Sequence, residues 1–239
     1  MVLNATQLTG LGTDTHTQIE AAFLTGGAGA NKFDAALFGG VVTLIGAAGN
    51  DVLIGGANAD SLDGGDGNDS LTANSGADTI HGGLGNDTAL AGDGNDQVFG
   101  GVGGDSLDGG AGNDSLDGGN DKDKLLGGIG NDTLSGGLGA DTLDGGADND
   151  VLDGEADTDS LIGGTGRDLL IGGAAIDTLA GGANGPTVLH STTVQNDSNA
   201  ADKLNGSLAA PNTTDLDWFF ESAADVLDAI NGETRTTVS

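Results

Sequence analysis

Gly109 to Ser135 reads GGAGNDSLD, GGNDKDKLL, GGIGNDTLS: three rows of nine residues with aspartate at position six (Asp114, Asp123, Asp132) and leucine at position eight (Leu116, Leu125, Leu134). Extended in both directions, the frame runs without insertion from Gly46 to Ala180, which makes fifteen rows. Every row has Asp at position six: Asp51, Asp60, Asp69, Asp78, Asp87, Asp96, Asp105, Asp114, Asp123, Asp132, Asp141, Asp150, Asp159, Asp168 and Asp177. Position eight is Leu, Ile or Val in every row except that of Ala89. A fixed short period of this kind marks a solenoid and is read before any helix or strand is assigned.

One row dictates a local structure. Glycines at positions one, two and four permit positive φ and close backbone approach, so the first six residues are expected to form a tight turn. The last three, such as Ser61 to Asp63, are expected to form a short strand with its middle residue facing inward. Each row reverses the chain once, so two rows close an eighteen-residue flattened coil and rows two apart stack in parallel. The position-six carboxylates then fall into two columns, Asp51 to Asp177 along one edge and Asp60 to Asp168 along the other.

Composition fits this thin coil better than an ordinary core. The 239 residues include 48 Gly, 6 Phe, 1 Trp and no Tyr, so the aromatic mass that fills most cores is nearly absent. The formal charge of −31 repels nucleic acid and anionic membrane alike and attracts cations. With no Cys, no disulfide framework or zinc-thiolate site can form. No segment has the apolar length of a membrane span, and the opening MVLNATQLTG lacks the basic and apolar regions of a cleavable export leader.

Carboxylates stacked about 5 Å apart at an effective dielectric of about 20 repel by about 3 kcal/mol per pair. Fifteen small aliphatic core residues cannot offset that repulsion together with the ordering cost of the chain. The metal-free array is therefore expected to be largely unfolded. A hard dication that takes carboxylate and carbonyl oxygens in flexible geometry removes the repulsion, and calcium fits better than magnesium or a transition metal. All fifteen position-six aspartates are the expected metal residues, with at most about thirteen Ca²⁺ between successive column members.

These rows, GGAGNDSLD and GGIGNDTLS above all, resemble the GGxGxDxUx nonapeptide of RTX, or haemolysin-type calcium-binding, repeats. The resemblance implies an all-β, right-handed parallel β-roll in which Ca²⁺ is held between turns by the position-six carboxylates and glycine-turn carbonyls. It also implies export by type I secretion machinery and an extracellular or cell-surface location. Some rows depart from the pattern. ANSGADTIH (Ala73 to His81) lacks both leading glycines, and GEADTDSLI (Gly154 to Ile162) has Glu155 and Asp157 in glycine positions; sites beside them are expected to be weaker. Lys122, Lys124 and Arg167 lie next to column aspartates, either as local substitutes for calcium or as solvated side chains.

The flanks divide the chain. Residues 1–45 read as a degenerate-repeat cap with TGLGTDTHT (Thr9 to Thr17) as an isolated row, 46–180 as the roll, and 181–212 as degenerate repeat and linker. From Thr214 the spacing of Trp218, Phe219, Val226, Leu227 and Ile230, closed by Gly232, predicts a short amphipathic helix within 213–239. It serves as a cap on the last coil, as a type I export signal, or as both.

No catalytic constellation is visible. HExxH and GxSxG are missing, and His16, His81 and His190 lie in separate regions, so no enzyme is expected. The sequence reads as a secreted calcium-binding module that folds after export and acts as a structural, surface or interaction element. The alternative is a self-assembling extracellular filament or layer, joined end to end through open strand edges; an accessory domain of a calcium-dependent secreted enzyme ranks below both.

Overall fold

The computed structural model describes residues 20–181 continuously and, outside them, the backbone of the short strands Val2–Asn4, Gln7–Thr9, Asp14–Thr15, Val188–His190 and Lys203–Leu204. The helix expected from Thr214 lies outside the described residues, among which there is no helix.

The chain winds between two sheets of thirteen and ten strands. Each array strand pairs in parallel with the strand eighteen residues away: Leu62 faces Ile80, Ile80 faces Val98 and Val98 faces Leu116 on one sheet, while Leu71, Ala89 and Leu107 stack on the other. Two nonapeptides therefore make one coil, as the period requires. At the N-terminal end the parallel order stops. Gln7–Thr9 runs antiparallel to both Val2–Asn4 and Asp14–Thr15, so Asp14 belongs to an antiparallel meander and not to a further coil.

The strands are longer than the three residues expected. Ser61–Asp66, Ser115–Asn120 and their equivalents have six residues, covering positions seven to nine of one row and one to three of the next. Pairing continues through the glycines, with Gly65 opposite Gly83 and Asp66 opposite Leu84. This leaves only positions four to six for the turn. The position-eight column is the core, from Leu53 to Leu179 at 0–2 % exposure. Position one is a second inward-facing site, filled by Gly or by the fully buried Ala73 and Ala91.

The glycines have two distinct jobs. Positions two and four take positive φ, as in Gly65 at 99° and Gly67 at 135°. Among the described residues, every non-glycine residue with positive φ also falls on one of these two positions: Ala47, Asn74 and Glu155 on position two; Asp121, Asp148, Asp157 and Ala175 on position four. The variant rows thus keep a positive φ, at smaller angles than the glycines, and carry the steric cost of the left-handed conformation, about 1–2 kcal/mol per residue. Ala47→Gly and Ala175→Gly are each expected to stabilise the calcium-loaded fold by about 1 kcal/mol, measured as a rise in Tm; no change would show that the turn relaxes around the methyl group. Position one, in contrast, is glycine for space and not for φ, and that space belongs to the site.

Candidate metal centre

Each turn brings its position-six aspartate to the edge of the coil with the side chain turned inward. All fifteen are buried, at 1–3 % exposure. From Asp51 to Asp159, the backbone N–H of each column aspartate donates to Oδ1 of the one eighteen residues later: Asp51 to Asp69 at 2.6 Å, Asp96 to Asp114 at 2.9 Å, Asp150 to Asp168 at 3.2 Å. The two sequence-derived columns, Asp51 to Asp177 and Asp60 to Asp168, are therefore continuous hydrogen-bonded ladders.

The second oxygen is different. At Asp51 and at every column aspartate from Asp69 to Asp168, Oδ2 is buried without a hydrogen-bond partner among the described residues. A buried carboxylate oxygen left bare costs several kcal/mol in a native protein, so its recurrence turn after turn calls for a ligand. Asp60 is the exception: its Oδ2 accepts from Gly56 N–H at 2.6 Å and its Oδ1 from Val42 N–H at 2.7 Å.

Position-one glycine completes the setting. An ideal Cβ on Gly109 would lie 2.6 Å from Asp114 Oδ2 and 2.7 Å from the carbonyl oxygen of Gly127, the position-one residue of the stacked turn. The same pair of oxygens recurs beside Gly64, Gly82, Gly100, Gly118, Gly127 and Gly145. At these turns a bare carboxylate oxygen and a main-chain carbonyl thus share a space into which a Cβ would intrude unless the turn shifts, as it does around Ala73 and Ala91, where Asp78 and Asp96 Oδ2 are also without a partner among the described residues. No three acidic or histidine side chains converge on one point among the described residues, so the donors on offer are column carboxylate oxygens and main-chain carbonyls. Hard oxygen donors of this kind suit calcium. Gly109→Ala is expected to destabilise the calcium-loaded roll by about 1–3 kcal/mol through overpacking and to raise the calcium midpoint. Gly39→Ala, where an added Cβ meets nothing within 4 Å, should change neither.

Burial dominates the electrostatics. It pushes the Asp123, Asp150 and Asp159 carboxyls up to about 7 and those of Asp78, Asp87, Asp105 and Asp114 up to about 6. The hydrogen bond from the preceding turn opposes the rise, and the neighbouring column carboxylates add to it. Asp121 further raises Asp105 and Asp123, and Asp157 raises Asp141 and Asp159. Lys122 is exposed, and its charge acts in the other direction on Asp141. His81, at an outward strand position, stacks on Phe99 with ring centroids 4.7 Å apart, away from the edges.

Position five carries a second ladder that the sequence reading missed. Asn50 Oδ1 accepts from Asn68 N–H at 3.0 Å, Asn68 Oδ1 from Asn86 N–H at 2.9 Å, and Asn95, Asn113, Asn131 and Asn149 form the same chain on the other edge. The two ladders run in opposite directions: aspartate accepts from the turn before it, asparagine from the turn after it. The signal was present as Asn50, Asn68, Asn86, Asn95, Asn113, Asn131 and Asn149 in one column of the nine-residue frame.

No curated protein matches the chain. The family model described as the RTX calcium-binding nonapeptide repeat matches residues 43–71, 72–107, 99–134, 126–161 and 162–184, more than half of the chain and nearly the same stretch as the fifteen rows. With the nonapeptide register, the parallel coil and the buried oxygen columns agreeing with that match, the chain belongs to the family of RTX calcium-binding nonapeptide repeat proteins.

Proposed function

We propose that this chain is a secreted module whose roll folds when calcium enters the two aspartate columns after export. The observation that carries the reading is the column of bare, buried Oδ2 oxygens. Calcium would be held by the position-six carboxylates, Asp60 excepted, and by main-chain carbonyls of the stacked turns, and it would supply the positive charge that these buried oxygens lack. The chain's own contribution is geometric: Oδ1 is committed to the ladder, which leaves Oδ2 for the ion, and position-one glycine keeps the space open.

Folding then follows calcium concentration. Extracellular modules bind calcium at about 10⁻⁴ to 10⁻³ M, so low cytosolic calcium leaves this acidic chain extended and ready for a type I exporter, and calcium outside joins turn to turn. The finished roll is a structural or surface element. Far-UV circular dichroism tests this reading with calcium titrated from chelator to about 10 mM and magnesium as the control. The expected result is a steep coil-to-β transition with calcium alone; full β signal in chelator would contradict it.

A further inference from the structure

The N-terminal coils are built differently from the array that follows. Phe33 and Phe38 are buried there at 7 % and 2 %, beside the fully buried Ala35, Val42, Leu44 and Leu53, whereas from Leu62 onward the core has no aromatic residue, only the aliphatic position-eight residues with Ala73 and Ala91 beside them. Val41–Ala48, with eight residues, is the longest strand described.

The edges differ in the same region. The first column begins on a neutral residue: Asn31 donates to Asp51 Oδ1 through its backbone N–H at 2.6 Å and through Nδ2 at 3.2 Å. The second begins on apolar Val42, and Asp60 has both oxygens hydrogen-bonded to backbone N–H groups. Asn58 Nδ2 adds a bond to the Gly39 carbonyl at 3.3 Å. Between Glu20 and Leu62 the acids are Glu20, Asp34, Asp51 and Asp60, with Lys32 among them; beyond Leu62 every row adds a column aspartate, and most add further acids. Both terms that keep the metal-free array open, like-charge stacking and bare buried oxygens, are thus weakest where the core is largest: within 32–62 the only bare column oxygen among the described residues is Asp51 Oδ2, against one in every row from Asp69 to Asp168.

We infer that residues 32–62 form a metal-independent nucleus, pinned by Asp60, on which the calcium-dependent turns stack one after another toward the C-terminus. The inference rests on the calcium-gated reading above for the rest of the array. In a solenoid each turn is stabilised only by its neighbours, so a pre-folded first coil spares the array its costliest step, the ordering of an unsupported turn. Asp60 is assigned a structural role and removed from the set of calcium ligands.

Hydrogen exchange read by mass spectrometry on the full chain separates the possibilities. In chelator near neutral pH, peptides within 32–62 should be protected while those within 105–159 exchange as coil; calcium should then protect the second set. Asp60→Ala should abolish protection of 32–62 in chelator and raise the calcium midpoint, yet still reach the folded signal at high calcium. Asp132→Ala should leave protection of 32–62 in chelator intact. Equal coil-like exchange of both regions in chelator, followed by protection with calcium, would overturn the nucleus and leave calcium-gated folding standing. Protection of 105–159 in chelator would overturn both. Unchanged protection of 32–62 in Asp60→Ala would overturn the role given to Asp60.

Discussion

Asp114→Asn is expected to act in opposite directions with and without calcium. Asn keeps an Oδ1 acceptor for the Asp96 N–H, 2.9 Å away in the native ladder, but loses the charge. In chelator, the variant removes one buried carboxylate and its repulsion with Asp96 and Asp132, so residual structure should increase. In calcium, it removes one charged oxygen from the middle of the column, so the midpoint should rise and the transition should become less steep. Asp114→Ala differs on one point, because it also strands the buried Asp96 N–H. That omission costs about 1–3 kcal/mol and should lower stability under both conditions. Parallel calcium titrations and thermal melts of the three proteins check the pattern; two variants alike in chelator would mean that the ladder bond contributes little.

Acid should partly replace calcium. Burial raises the carboxyls of Asp78, Asp87, Asp105 and Asp114 from 3.8 to about 6 and those of Asp123, Asp150 and Asp159 to about 7 in the fold, and raises those of Asp69, Asp96, Asp132, Asp141 and Asp168 in the same direction. Between about pH 4 and pH 7 the folded state therefore binds more protons than the unfolded chain, and metal-free stability falls as pH rises through that window. Below it the carboxyls are protonated in both states, and the dependence vanishes. In chelator the chain should be largely coil at pH 7.5 and gain β signal toward about pH 4.5. The calcium midpoint should move to higher concentration over the same range, since protons and calcium compete for the same oxygens. A metal-free chain that loses structure on acidification would show that its column carboxylates are better solvated than their burial implies.

Much of this molecule was legible in nine-residue rows because the physics is periodic. Position six gave both Asp columns, position eight gave the core from Leu53 to Leu179, and the doubled period gave the eighteen-residue register seen between Leu62 and Ile80. Less accessible was what depends on rotamers and on the stacked neighbour. Sequence alone placed Gly64, Gly65 and Gly67 in one class, because all three are simply glycine; the structure separates a space requirement at Gly64 from left-handed backbone at Gly65 and Gly67. Strands of six residues were hidden for the same reason, since glycine pairs gave no propensity signal for Gly118 and Gly119 within Ser115–Asn120.

The departures teach the same lesson. Asp121, Asp148 and Asp157 look like broken glycine positions, yet at φ of 75°, 78° and 74° they keep the positive sign of position-four glycines such as Gly112 at 134° and Gly130 at 128°, at smaller angles that an L residue can reach. Aspartate is one of the few residue types that visits this conformation readily. Asp60, conversely, looks like any other column member in the frame and is separated from them only by its contacts with Gly56 and Val42. A pattern reports which residue recurs, and contacts report which copy does something else.

Calcium-gated folding of this roll requires ions on the bare oxygens. A crystal structure of the full chain grown in calcium, with anomalous difference maps to locate the ions, tests this most directly. Ions are expected about 2.3 to 2.6 Å from Oδ2 of the mid-column aspartates Asp105, Asp114, Asp123 and Asp132, with main-chain carbonyls completing each shell and none on Asp60. Ions confined to the exposed acids, with those Oδ2 atoms still bare, would contradict it.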